Sequence, residues 1–323
     1  MKKIFFTISC LFLLGSLSYG QQATQYSMYM LNPYAFNPAY GGLENSLEAT
    51  GVFRQQWTGL DGAPTTVGIH IDAPIYIIHS GVGLDVENEN IGAFRFTDLR
   101  LGYNYISKIG NGNLSLGFRA GFVQSSLDGS KLRTPDGAYN QGIIIHNDAA
   151  LLTNAATGMT PTFEAGVYYK SEKFYAGAAA SNISEPSLTY NGDKSLGFIL
   201  KRNYFFNVGT AFDLKSLIKI HPSLLVKSDG TETQADFSAY AQYNENFFVG
   251  ASFRGYNQSS KDAAVVFGGF KLTNRIVLAY SYDFTLSSLN NSSSGSHEII
   301  LQYKTDANFG KGKLPPIIYN PRF

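Results

Sequence analysis

Apolar and polar side chains alternate along this chain in run after run of about ten residues. Asp236-Phe237-Ser238-Ala239-Tyr240-Ala241-Gln242-Tyr243 carries the pattern, and so does Glu298-Ile299-Ile300-Leu301-Gln302-Tyr303. Successive side chains of a strand point to opposite faces, so a period of two gives one face to apolar groups and the other to polar ones. After the opening segment, no stretch holds the period of an amphipathic helix, and no apolar run is long enough for a spanning one. Strands of ~10 residues, apolar on one face and polar on the other, describe a transmembrane β-barrel. A sheet in hydrocarbon has to close, because each unpaired backbone group there costs several kcal/mol. The chain therefore reads as all-β, a transmembrane antiparallel β-barrel of about 14 strands.

Those strands are expected over 47–57, 64–75, 80–88, 93–108, 112–127, 161–171, 173–181, 203–214, 219–227, 231–244, 247–256, 262–273, 275–284 and 296–305. Connection lengths test the count, since outer-membrane barrels use short periplasmic turns and longer external loops. With a periplasmic N-terminus, the even connections should be short. The fourth is Ile109-Gly110-Asn111-Gly112, and the sixth, tenth and twelfth centre on Ser171-Glu172, Glu245-Asn246 and Thr273-Asn274. The longest connections, 128–160, 182–202 and 285–295, all fall on the odd side. An even strand number returns the C-terminus to the periplasm as well.

Residues 1–20 read as a signal peptide, with Lys2 and Lys3 ahead of a short apolar core and the small residues Ser18 and Gly20 before a cut at Gln21. The one cysteine, Cys10, lies in that core, so the mature chain would hold no disulfide. Basic and acidic residues nearly balance, 25 against 24, which gives no basic field for nucleic acid. Tyr and Phe number 21 and 24, an excess suited to membrane-interface girdles.

Both ends of the mature chain depart from the alternation. Residues 21–45 form an N-terminal periplasmic or plug segment in which Tyr26, Met28, Tyr29, Met30, Tyr34, Phe36 and Tyr40 accompany Asn32-Pro33 and Asn37-Pro38. Proline lacks the N–H donor and restrains its predecessor, so neither pair fits a ladder. So many aromatics call for burial, which is expected against or inside the periplasmic mouth. Residues 46–305 make up the barrel, and 306–323 a periplasmic C-terminal tail with Pro315, Pro316 and Pro321.

Candidate chemistry is sparse. His70, His79, His146, His221 and His297 have no metal-ligand spacing and read as polar lumen or loop residues. His297 and Glu298 are neighbours on one strand and point to opposite faces. No local signature surrounds any serine, and glycines such as Gly117 and Gly121 are strand glycines rather than a phosphate loop. Asp85, Glu87 and Glu89 share one face of the third strand and read as a solvated external rim, with a divalent-cation site as the sharper reading. The expectation is a non-enzymatic protein with no cofactor, no metal and no nucleic acid partner.

Ordered motifs then resemble a known family. Gln25-Tyr26-Ser27-Met28-Tyr29-Met30-Leu31-Asn32-Pro33, followed by Asn37-Pro38-Ala39-Tyr40-Gly41-Gly42, is similar to the opening signature of the PorP/SprF family of outer-membrane proteins, found in the type IX secretion and gliding systems of Bacteroidetes. Arg54-Gln55-Gln56-Trp57 with Gly59, Asp61-Gly62-Ala63-Pro64-Thr65-Thr66, and Ser294-Gly295-Ser296-His297-Glu298-Ile299 resemble its later blocks.

The resemblance implies a cell outer-membrane protein that binds or anchors a secreted cargo, such as a large surface adhesin with a C-terminal sorting domain. Other type IX components and a periplasmic peptidoglycan-linked protein are implied as further partners, besides outer-membrane lipid. Among the matched residues, Asn32, Pro33, Asn37 and Pro38 would fix a rigid aromatic plug or platform, or simply cap the barrel mouth. Arg54 and Gln56 share a face where the first strand leaves the membrane, and Trp57 is expected in the outer aromatic girdle. His297 and Glu298 would order the last external loop. The competing reading is a porin or lipophile transporter for small solutes.

Overall fold

A computed structural model describes residues 24–139, 143–148, 151–191, 197–215, 217–256 and 260–305. The expected signal peptide, 1–20, and C-terminal tail, 306–323, lie outside the described residues. Seventeen strands follow in chain order: β1 (Leu47–Gln55), β2 (Thr65–Ile75), β3 (Ser80–Ile91), β4 (Phe94–Ile109), β5 (Gly112–Asp128), β6 (Ala155–Ser171), β7 (Phe174–Ser181), β8 (Ser187–Thr189), β9 (Gly197–Ile199), β10 (Asn203–Thr210), β11 (Phe212–Lys215), β12 (Ile218–Ser228), β13 (Thr233–Tyr243), β14 (Phe247–Arg254), β15 (Ala263–Thr273), β16 (Ile276–Thr285) and β17 (Ser296–Thr305). Fourteen of them close an antiparallel barrel. The first strand pairs with the last, Leu47 opposite Thr305 and Gln55 opposite His297, while β10 pairs with both β7 and β12.

Each expected strand is present, with three differences. β6 begins at Ala155, six residues before its expected start. The strand expected at 203–214 breaks at Ala211 into β10 and the short β11, which continues the pairing with β12. The loop expected at 182–202 contains the hairpin β8–β9. One end of the barrel has only tight turns, including 76–79, 110–111, 172–173, 244–246 and 274–275. The long connections 129–154, 182–202 and 286–295 all lie at the other end.

The faces sort as the alternation requires. Along β1, Glu48, Thr50, Val52 and Arg54 are buried in the lumen while Phe53 is exposed outside. Ile69, Leu101, Phe118, Val249 and Leu301 are likewise exposed and join the apolar belt that meets lipid. A register slip of one residue would send these to the lumen and the charges to the lipid, so burial pins the pairing.

A barrel of this width is not filled by its own wall, since the interior is just filled at about eight strands. Here the chain before β1 supplies the packing. Residues 24–44 run inside the barrel as short 3-10 turns at Tyr29–Leu31, Pro33–Ala35 and Pro38–Tyr40, two of them opening on proline, whose fixed φ suits a first turn. Tyr26, Met28, Tyr29 and Phe36 form one apolar cluster with the wall residues Val52, Phe205, Leu225, Val265 and Ile300. Tyr34, Ala39, Tyr40 and Leu43 form another with Tyr168.

A separate core lies at the long-loop end. β4, β5 and β6 have 16, 17 and 17 residues against 8 each in β7 and β10, so they project past their neighbours. Val123, Leu127, Leu152 and Ala156 pack there against Leu188, Tyr190 and Leu200 from the β8–β9 region. A bridge between Thr157 and Asn191 ties the hairpin to β6. The result is an apolar cap beyond the lumen.

Candidate functional site

The N-terminal segment is held at three levels. Nearest the long loops, the Glu298 carboxylate accepts two successive main-chain amides, Ser27 N–H at 2.7 Å and Met28 N–H at 2.9 Å. The Ser27 hydroxyl donates to Asp283 at 2.7 Å and accepts from Arg54 at 2.7 Å. Arg54 also reaches Asp283 at 2.8 Å and Glu298 at 3.1 Å. Arg254 completes the cluster, 2.7 Å from Asp236 and 3.1 Å from Asp283. These groups come from β1, β13, β14, β16 and β17, each on the polar face of its strand near the long-loop end. Charged hydrogen bonds of this kind are the strong ones, and their burial makes the loss of any single member costly.

Midway down, the Arg119 guanidinium lies 4.4 Å from the Tyr34 ring centre and donates to the Tyr34 carbonyl. Arg119 also pairs with Glu164 at 3.1 Å and Asp85 at 3.5 Å, while Arg100 binds Asp85 at 2.7 Å and Glu164 at 2.8 Å. His70 Nδ1 sits 2.7 Å from Asp85. Lumen-facing glycines make room for the segment. A Cβ at Gly117 would clash with the Ala39 main-chain nitrogen, and one at Gly166 with Asn37 Oδ1.

Toward the short turns, the Asn37 side chain caps the turn by accepting from Ala39 N–H at 2.9 Å. Its amide donates to the Val167 and Ala178 carbonyls at 3.1 and 3.2 Å. Gly42 N–H donates to Asp72 at 2.7 Å, and Asn104 donates to the Gly41 carbonyl at 2.8 Å. Glu44 accepts from Tyr40 and pairs with Lys170. Burial pushes the Glu44 carboxyl up, but the Lys170 and Lys304 ammonium groups overcome it and hold the group at about 2.

Above the segment and beneath the cap is a cavity of about 870 Å³. Its floor includes Tyr26 and Phe36, and Phe198 and Leu200 of the cap region border it. Glu87 on its wall accepts hydroxyl hydrogen bonds from Thr24 and, at 2.6 Å, from Tyr26.

The expected site residues divide between these features. Asn37, Arg54 and Glu298 hold the N-terminal segment, and Pro33 and Pro38 open its turns. Asn32 is buried, but its amide nitrogen donates to nothing within reach. Gln56 is buried on the same face as Arg54 and its main-chain N–H donates to Pro64 at 2.9 Å. Trp57 occupies the loop after β1 at φ +45°, with its N–H donating to Ser296 Oγ at 3.1 Å.

Three expectations are corrected. Glu298 points into the lumen and binds the segment rather than ordering the last loop, whereas His297 faces outward and contacts the Tyr280 hydroxyl at 2.7 Å. Asp85 and Glu87 are buried inside the barrel, not part of a solvated rim, and no metal-holding group of three His, Asp or Glu exists among the described residues. The segment itself reaches well beyond the mouth, up to the long-loop half of the lumen. Asp236, Arg254 and Asp283 were not singled out beforehand; a charge on the polar face of a strand near its loop end was the available signal.

A closed fourteen-stranded barrel with an apolar outer belt and a polar lumen defines an outer-membrane β-barrel protein. The chain belongs to the PorP/SprF family of type IX secretion system membrane proteins, whose family model matches residues 18–303. Its fold is similar to that of the outer membrane protein Omp33 of Acinetobacter baumannii, with a TM-score of 0.47 and 7% identity over 82% of this chain and 100% of that one. The toluene transporter TbuX of Ralstonia pickettii gives 0.47 and 9% over 86% and 92%. The CymD monoaromatic hydrocarbon channel gives 0.43 and 10% over 85% and 90%. No curated protein sequence matches the chain.

Proposed function

We propose that this barrel is a docking component of type IX secretion, which holds a specific secreted protein at the outer membrane and does not conduct solutes. The observation that carries the reading is the packing of residues 24–44 through the lumen, fastened by the buried Arg54, Arg254, Asp283 and Glu298 cluster. A transporter would need a path past these ion pairs. A docking protein needs a rigid external surface, and the cap over β4–β6 supplies one with its own apolar core.

In this reading the short turns face the periplasm, the long loops face outward, and the cap is where cargo with a C-terminal sorting domain attaches. Contacts with other secretion components and with a peptidoglycan-linked partner fall to the short-turn face. We assign the barrel no catalytic step.

The test is a secreted reporter fused to a C-terminal sorting domain, followed on the cell surface. Deleting the barrel gene, or replacing 182–202 by a short flexible loop in a barrel that still inserts, is expected to release the reporter to the medium. Unchanged surface retention in both strains would sink the docking reading.

The cavity under the cap favours a second reading, uptake of a small solute, and a conductance measurement separates the two.

A further inference from the structure

The cavity between segment and cap is lined by acidic and aromatic side chains together. β3 and β4 place Glu87, Glu89 and Asp98 there, and the same face of β4 adds Phe94 and Phe96, with the Phe96 ring edge-on to Phe198 at 6.1 Å. Phe36 and Phe205 also line it. Glu87 and Asp98 are direct cross-strand partners, an arrangement of like charges that weakens a sheet unless something compensates.

Among the described residues, the arginines beside the acidic residues are already engaged. Arg100 holds Asp85 and Glu164 at 2.7 and 2.8 Å and approaches Asp98 no closer than 3.5 Å. Arg119 pairs with Glu164 and Asp85. Lys201 also borders the cavity. Asp98 Oδ1 is buried without a hydrogen-bond donor, and Glu89 has a bond from Thr66 at 3.3 Å. An acceptor in that condition is destabilising until a donor reaches it.

We propose that this cavity is a binding site for an organic cation, an ammonium or guanidinium group on an apolar stem. The charged head meets Asp98 and Glu89, and the stem lies along the neighbouring phenylalanine rings, whose faces also attract the cation. The volume is within the range of small-ligand sites. A neutral lipophile would desolvate the carboxylates with nothing in return, and an anion would be repelled. A bare metal ion lacks ligands, since the described residues hold no metal-binding group. The cation could be a free amine or the Lys or Arg side chain of a bound protein.

The inference does not depend on the docking reading, so it is tested on the purified barrel in detergent without cargo. Calorimetric titration with 4-phenylbutylamine is compared with neutral 4-phenylbutanol, and acetyl-Phe-Lys-Phe-amide with its norleucine counterpart. The amine is expected to bind at least tenfold more tightly than the alcohol. Asp98→Asn with Glu89→Gln is expected to remove that preference while the barrel keeps its heat-modifiable gel mobility.

Preference for the lysine peptide as well assigns the site to a protein side chain; preference for the amine alone assigns it to a free solute. If the double variant fails to fold, Phe198→Ala, in the cap hairpin outside the barrel wall, is expected to weaken amine binding several-fold. Equal binding of amine and alcohol, no binding of either, or full amine affinity in the folded variants would overturn the proposal.

Discussion

The Glu298 carboxylate on the last strand accepts the main-chain N–H of Ser27, 271 residues earlier in the chain, at 2.7 Å. This bond joins the two ends of the described fold inside the barrel. It holds the segment whose Tyr26, Met28, Tyr29 and Phe36 pack into the core of the barrel. Glu298 is buried and shared with Arg54, so losing either partner leaves a charge buried without its mate.

Truncating either member should therefore be severe. Arg54→Ala or Glu298→Ala is expected to cost about 3–5 kcal/mol, the usual consequence of leaving a buried charge alone. The double variant should lose less than the sum, since each residue's value depends on the other. Urea unfolding of the refolded barrel measures all three. Strict additivity would mean that the pair does not act as a unit.

Glycine positions test the path of the segment. Gly117→Ala should overpack Ala39 and cost about 1–3 kcal/mol, and protease cleavage within 24–44 should increase. Gly51→Ala is the contrast, because a Cβ there meets nothing closer than the Leu301 carbonyl at 3.8 Å. Equal tolerance at both positions would place the segment elsewhere.

The two Asn-Pro pairs should differ in weight. Asn37→Ala removes a cap and two amide donors, and a loss of about 1–3 kcal/mol is expected from the groups left unpaired. Asn32→Ala should cost less, since the Asn32 amide nitrogen donates to no partner. Thermal unfolding of the two variants, side by side, checks the order.

Acid should loosen the short-turn end. Glu44 is held at about 2, below its ordinary 4.5, by Lys170 and Lys304 against the upward push of burial. A folded-state value below the unfolded one gives stability that is fully present above 4.5 and is lost as pH falls through about 2. Glu44→Gln should flatten this part of the profile between those limits. An identical pH profile for the variant would remove Glu44 from the account.

The barrel was legible because its physics is local. Period-2 patterning, tight turns and loop parity each depend on residues close together, and together they placed the strands. The missed strands share a cause. β8 and β9 have three residues each, too few to show a period, and Ala155-Ala156-Thr157-Gly158 is too small and mixed to reveal the start of β6. The course of the N-terminal segment was hidden for the opposite reason. Tyr26 finds Glu87, Asn37 finds Val167 and Ser27 finds Asp283, across separations of 61, 130 and 256 residues. Aromatic content signalled burial; only closure of the barrel decides where it occurs.

The central claim is that the segment of residues 24–44 fills the lumen of the barrel. Single-channel recording of the full-length barrel in a planar bilayer tests it most directly, with the Arg54→Ala and Glu298→Ala double variant alongside. The native barrel is expected to stay closed, with only rare brief openings, and the variant to open more often. Large, steady openings by the native protein would contradict the account.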